Sequence, residues 1–133
     1  MYFSFDKNKF VSKNIEPLKI AISGSDQDIT WGNLKEEVEK CISLFNQLGI
    51  KRGQIVIIYG DKEIFFLIAI LAAIKAGITY VPFDQNYPNE WLQKVKRKTN
   101  ASVIINSGDY SIDILFPIII NSDLSFKINS QIT

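Results

Sequence analysis

From Ile55 the chain runs Ile55-Val56-Ile57-Ile58-Tyr59 without a polar interruption, turns at Gly60-Asp61, and continues as an apolar stretch from Ile64 to Ala76 that stops at Gly77. It returns as Ile78-Thr79-Tyr80-Val81-Pro82-Phe83-Asp84. A continuous apolar run without alternation predicts a strand covered on both faces, central and parallel in its sheet. The longer run predicts a helix that is apolar almost all the way round, so the pattern is one strand–helix–strand unit. Asp61 is positioned to cap that helix, with its carboxylate at the positive end of the helix dipole.

Upstream, Leu18 to Ile22 reads as a short strand that breaks at Ser23-Gly24-Ser25-Asp26 before Ile29 resumes, which predicts a small hairpin or ribbon. Thr30 offers a hydroxyl N-cap to the next helix, with Ile29 and Leu34 at the two positions of a hydrophobic staple. Trp31, Leu34, Val38, Cys41, Phe45 and Leu48 recur every three or four residues and form one buried stripe, leaving Lys35, Glu36, Glu39 and Lys40 to water. Gly49 ends this helix in the left-handed conformation, and Lys51-Arg52-Gly53-Gln54 forms a polar turn.

Downstream, Gln85-Asn86-Tyr87-Pro88 is turn-like, and Pro88 suits the first turn of a third helix because its missing amide hydrogen is not needed there. Trp91, Leu92 and Val95 are its expected buried stripe. Lys94, Lys96, Arg97 and Lys98 crowd its last turns, where cations complement the carbonyl end, and read as a solvated face. Ala101 to Ile105 is a further strand. After a loop at Asn106 to Ser111, Ile114 to Ile120 reads as a strand interrupted by Pro117, either at a sheet edge or beginning after that proline. Residues 121–133 show no period and are expected to form a loosely ordered tail. Strands alternating with helices at this spacing predict an α/β fold in a single domain spanning 1–133. Its expected architecture is a doubly wound, mainly parallel sheet with helices on both faces and right-handed crossovers.

Composition narrows the function. With 133 residues and 47% hydrophobic content, the chain can bury about two-thirds of its unfolded surface. Fifteen basic and 14 acidic residues leave a net charge of +1 and a pI near 7.8. That balance gives no long-range field for polyanions, so no nucleic-acid partner is expected. The absence of histidine excludes His-based triads, bases and metal sites. Cys41 is the single cysteine, cannot form an internal disulfide, and sits at a core spacing. The longest apolar run, Ile64 to Ile74, has 11 residues, against about 20 for a spanning helix, so no membrane partner is expected. The opening residues carry no secretory pattern, and a cytoplasmic setting is expected.

The seven glycines are too scattered for a dinucleotide or P-loop signature. Ser23-Gly24-Ser25 is followed by Asp26 and Asp28, which would repel phosphate. Asp61 and Asp84 stand at strand ends, as the metal-binding aspartates of receiver-type domains do, but capping and turn formation account for both more simply.

Several longer words carry a resemblance. Ile29-Thr30-Trp31-Gly32-Asn33-Leu34, Leu48-Gly49-Ile50-Lys51-Arg52-Gly53-Gln54-Ile55-Val56 and Tyr59-Gly60-Asp61 resemble the opening motifs of adenylate-forming (AMP-dependent synthetase/ligase) enzymes. Ile70 to Asp84, followed by Tyr87-Pro88-Asn89-Glu90-Trp91-Leu92, looks like the second conserved motif of amino-acid adenylation domains. Those domains occur in nonribosomal peptide synthetases and D-alanine–carrier protein ligases. The likeness runs over about residues 20–106. Asn33 replaces an acidic residue usual in the family, Phe83 a smaller aliphatic, and Trp91 the common arginine, all at positions that look structural.

The resemblance implies an enzyme that uses ATP and Mg²⁺ to activate a carboxylate as an acyl-adenylate, then passes the acyl group to a thiol on a carrier protein or coenzyme A. That chemistry needs a phosphate-binding loop, acidic residues for metal and ribose, and a mobile lysine. In the family these lie downstream of the matched motifs, so no catalytic, cofactor-binding or metal residue is assigned to this chain. The expected function is that of an N-terminal scaffold subdomain, inactive in isolation, binding no cofactor by itself and partnered by the remainder of the ligase. Two alternatives stand beside it. One is a non-enzymatic interaction module, or half of a split enzyme, docking a complementing chain through the all-apolar helix. The other is a flavodoxin-like or receiver-like binding domain.

Overall fold

The computed structural model describes residues 20–23, 28–61, 63–108, 110–112, 114 and 116–129, with the side chains of 20–29 and Trp31 outside that description. Strands β1 (Ile20–Ser23) and β2 (Asp28–Thr30) form an antiparallel ribbon, as the turn cluster predicts. The turn at 24–27 lies outside the description, as do the side chains of the staple residue Ile29 and of Trp31.

Helix α1 (Trp31–Gln47) begins where expected, with the Asn33 amide donating to Thr30 Oγ1 at 3.2 Å. It ends at Leu48 and Gly49, the latter at φ +73°. The turn that follows is closed by the Lys51 amide donating to Gln54 Oε1 at 2.7 Å.

The main sheet has the order β4-β3-β5-β6-β7, in which β3 (Ile55–Gly60), β4 (Thr79–Asp84), β5 (Val103–Asn106) and β6 (Ile118–Asn121) are mutually parallel and β7 (Phe126–Ile128) is antiparallel to β6. Pro82 lies in β4, an edge strand of this sheet, where its missing N–H is tolerated. Strand β6 starts directly after Pro117, so the second of the two expected placements holds.

Alternation along β3 divides the core. Val56 and Ile58 face α1 and α2 (Ile64–Ala76), joining Leu34, Val38, Cys41 and Phe45 in one buried cluster. Ile57 and Tyr59 face α3 (Asn89–Thr99), Ile114 and Phe116, joining Leu92 and Ile104 in another. Helices therefore cover both faces of a mainly parallel sheet. Nine of the 13 residues of α2 are buried, so this helix presents no large exposed patch: α1 and the sheet enclose it. Its stop is Gly77 at φ +74°, where an added Cβ would also meet Arg52.

Four expectations are corrected. The N-cap of α2 is Glu63 rather than Asp61, because Glu63 holds the extended conformation (φ −63°, ψ 146°). Its carboxylate is occupied elsewhere and makes no cap hydrogen bond. Pro88 is the N-cap of α3, one residue before the first turn. Trp91 is not in the buried stripe of α3: it is half exposed because it packs on Tyr87 instead of the sheet. Within 121–133, Phe126–Ile128 forms β7, antiparallel to β6. The hairpin closes through Asp123, which accepts from the Ser125 amide and hydroxyl, and through Asn121 donating its amide to Ser125 O at 2.8 Å. Residues 130–133 lie outside the description.

Candidate functional site

In an open parallel sheet, ligands sit beyond the carboxyl ends of the strands, where adjacent strands send their connections to opposite faces. Here that position lies between β3, which leads to α2 on one face, and β5, which leads to the 107–117 segment on the other. Chain reversal after both strands brings Gly60, Asp61 and Glu63 against Asn106, Ser107, Gly108 and Tyr110.

Hydrogen bonds stitch the two loops together. Tyr59 O accepts from both the amide and the hydroxyl of Ser107 at 2.9 Å. The Asp61 amide donates to Glu63 Oε2 at 2.8 Å, and the Tyr110 hydroxyl donates to Glu63 Oε1. Asn106 grips the Tyr110 backbone from both sides, donating from Nδ2 to its carbonyl at 2.7 Å and accepting its amide at 3.0 Å.

Gly60 and Gly108 are dictated by this crowding and not by their backbone angles. A Cβ on Gly60 would overlap Ser107 Oγ and stand 2.9 Å from Phe66 Cδ1. One on Gly108 would strike the Glu63 carboxylate and stand 2.6 Å from Tyr110 Cε2. Aromatic rings extend the cluster sideways: Tyr110 is edge-on to Tyr59 at 5.9 Å, and Tyr59 is stacked on Phe83, also at 5.9 Å.

The electrostatics of the pair decide what it can do. Burial works to raise the pKa of Glu63, but hydrogen bonds from the Tyr110 hydroxyl, the Asp61 and Glu63 amides and the Ser107 hydroxyl outweigh it, and the carboxyl ends below its ordinary 4.5. Tyr110 is pushed up to about 12, first by its hydrogen bond to Glu63, then by burial and by the charges of Glu63, Asp61 and Asp84. At neutral pH Glu63 is thus ionised and Tyr110 protonated, both far from the value that suits a general acid or base. The arrangement is a clasp between two loops.

The other sequence candidates fare similarly. Asp84 Oδ1 accepts from the amide (2.9 Å) and Nδ2 (3.0 Å) of Asn86, which makes it a turn former. Cys41 is fully buried, and burial together with the charge of Glu37 pushes its thiol to about 12, so it is inert. Among the described residues no three His, Cys, Asp or Glu side chains are grouped to hold a metal ion, and no helix is long and apolar enough to cross a membrane. A half-open cavity of 410 Å³ lies at the opposite end of the sheet, between Gln54 before β3 and Lys96, Thr99 and Asn100 at the end of α3. The Glu63–Tyr110 clasp is invisible to sequence reasoning because its partners are 47 residues apart. The one available signal is the glycine at each loop.

Comparison with known proteins connects the chain to a family. The family described as AMP-binding enzyme matches residues 11–120. Among similar proteins, the D-alanine–D-alanyl carrier protein ligase of Staphylococcus haemolyticus is 29% identical over 102 residues, covering 77% of this chain and 20% of the ligase. Bacitracin synthase 2 of Bacillus licheniformis is 29% identical over 105 residues, covering 74% of this chain and 4% of the synthase. The chain therefore spans a fifth or less of these relatives. Among solved structures, the Klebsiella oxytoca NpsA N-terminal subdomain in complex with 3-hydroxybenzoyl-AMSN superposes with a TM-score of 0.68 at 22% identity, covering 80% of this chain and 27% of that one. The fused NpsA-ThdA adenylation-PCP di-domain gives 0.71 at 20% identity, covering 86% and 23%. These likenesses establish the shared fold.

Proposed function

The chain belongs to the AMP-binding enzyme family, and from that premise we propose that it is the N-terminal scaffold of an ATP-dependent ligase that activates an amino acid or related carboxylate as its adenylate and delivers the acyl group to a carrier thiol. The observation that carries this reading is the union of the family words with a closed clasp. The motif from Ile70 to Asp84 forms the α2–β4 unit, while the carboxyl ends of β3 and β5 are tied to each other by Glu63, Ser107 and Tyr110. Framework is present, and Glu63, Ser107 and Tyr110 are hydrogen-bonded in holding it.

ATP and Mg²⁺ belong to the complete reaction, but the described residues do not fit them. The glycines form no phosphate cradle, Gly60 and Gly108 are filled against side chains, and the carboxylates of Glu63 and Asp84 are already hydrogen-bonded. No step is therefore assigned to these residues, and their role is to present strands and helices to the remainder of the ligase. The kinship with a carrier protein ligase supports a carrier protein as acyl acceptor. The test is ATP–pyrophosphate exchange with a panel of amino acids and aryl acids. This chain alone should give no exchange above a boiled control, and clear turnover would sink the scaffold reading.

A further inference from the structure

Tyr87 and Trp91 remain 50% and 49% exposed, although each is large and apolar enough for a core. They pack on one another with ring centroids 5.2 Å apart, and Tyr87 stands edge-on to the buried Phe83 at 5.8 Å. The pair is thus fixed over the end of β4. Along α3, Lys94 and Lys98 follow Trp91 at the i+3 and i+7 positions, which lie on one helix face. Arg97 borders that face, and all three cations are exposed. Among the described residues the ion pairs join Lys40 and Lys75 to glutamates of α1, and none engages Lys94, Arg97 or Lys98. Lys96 differs, lying over the Phe116 ring at 4.9 Å. Because the whole chain carries only +1, these cations are a local excess.

A solvated face accounts for the lysines but leaves a tryptophan at the head of the row unexplained. We propose that the Tyr87-Trp91-Lys94-Lys98 face, with Arg97 at its side, docks an acidic amphipathic helix of a partner protein. The partner's apolar side would cover the two rings, and its carboxylates would meet the cations. Length supports this occupant: from Trp91 to Lys98 the row extends about 10 Å at helical rise, two turns of a helix laid alongside, with Tyr87 just before the start of α3. Aromatic residues with arginine are the types that concentrate binding energy at interfaces. A nucleic acid would call for a broader basic field than a chain of near-zero net charge provides.

The probe is a fluorescein-labelled synthetic helix of about 18 residues with a leucine stripe flanked by glutamates at i,i+4, titrated with the full chain and followed by anisotropy. Saturable binding is expected, weakening with salt and falling about tenfold or more in Trp91→Ala and in the Lys94→Glu/Lys98→Glu double variant. A lysine-for-glutamate version of the peptide should recover affinity for that double variant. Circular dichroism of these exposed-site variants confirms that the fold is retained. The proposal is overturned by any of three outcomes: no binding at high micromolar peptide, equal binding of a glutamine-for-glutamate peptide, or a single-stranded oligonucleotide binding as tightly with the same sensitivity to the variants.

Discussion

Breaking the Glu63–Tyr110 clasp should cost stability in a manner set by pH. A hydrogen bond to a charged group contributes about 1.5–3 kcal/mol when shielded. Both groups here are reached by water, and screening reduces the figure to about 1 kcal/mol. The two titrations are asymmetric: Tyr110 moves from 10 to about 12, whereas burial of the Glu63 carboxylate cancels part of its downward shift. The signs follow from linkage. Tyr110 has a raised folded-state pKa, so its contribution is complete below pH 10 and disappears as pH climbs through about 12. Glu63 has a lowered one, so its contribution is complete above 4.5 and fades as pH falls through the folded value. The clasp should be at full strength on a plateau between these limits. The assay is urea unfolding of the wild type, Tyr110→Phe, Glu63→Gln and the double variant at several pH values. The cycle should return a coupling of about 1 kcal/mol at pH 7 that declines in acid and in strong alkali. A coupling below about 0.3 kcal/mol, or one that stays flat across pH, would refute the clasp.

Other predictions are independent of that pair's charge. Gly108→Ala places a methyl against the Glu63 carboxyl and the Tyr110 ring, and chemical denaturation should register a loss of about 1–3 kcal/mol from overpacking. Phe45→Ala empties a site of 0% exposure in the core cluster shared by α1, α2 and β3 and should cost about 3–5 kcal/mol, read as a lowered urea midpoint with unchanged slope. The Cys41 thiol, raised to about 12, should ignore Ellman's reagent in the folded protein and react fully in denaturant; stoichiometric labelling of native protein would contradict its burial. Thr30→Ala removes the hydroxyl that caps α1 and should lower stability by about 1 kcal/mol, with Thr30→Ser largely restoring it.

Local signals were legible in the amino-acid order itself. Thr30 and Gly49 bracket α1, Gly77 stops α2, and the unbroken Ile55–Ile58 run marks an interior strand, because caps, left-handed glycines and apolar periodicity act within a few residues of one another. Family words were readable for the same reason, being contiguous. Folding alone decided the rest. Strand β7 is three residues long and has no period of its own; it exists because β6 offers a free edge next to a tight turn. Asp61 reads locally as the cap of α2, but Glu63 takes the cap position, and its carboxylate is held by Tyr110, 47 positions away. Trp91 looks like a core residue until Tyr87, itself edge-on to Phe83, packs against its ring and holds it at the surface. Such outcomes depend on which distant groups compete for the same volume or the same proton, and that competition begins only when the chain has closed.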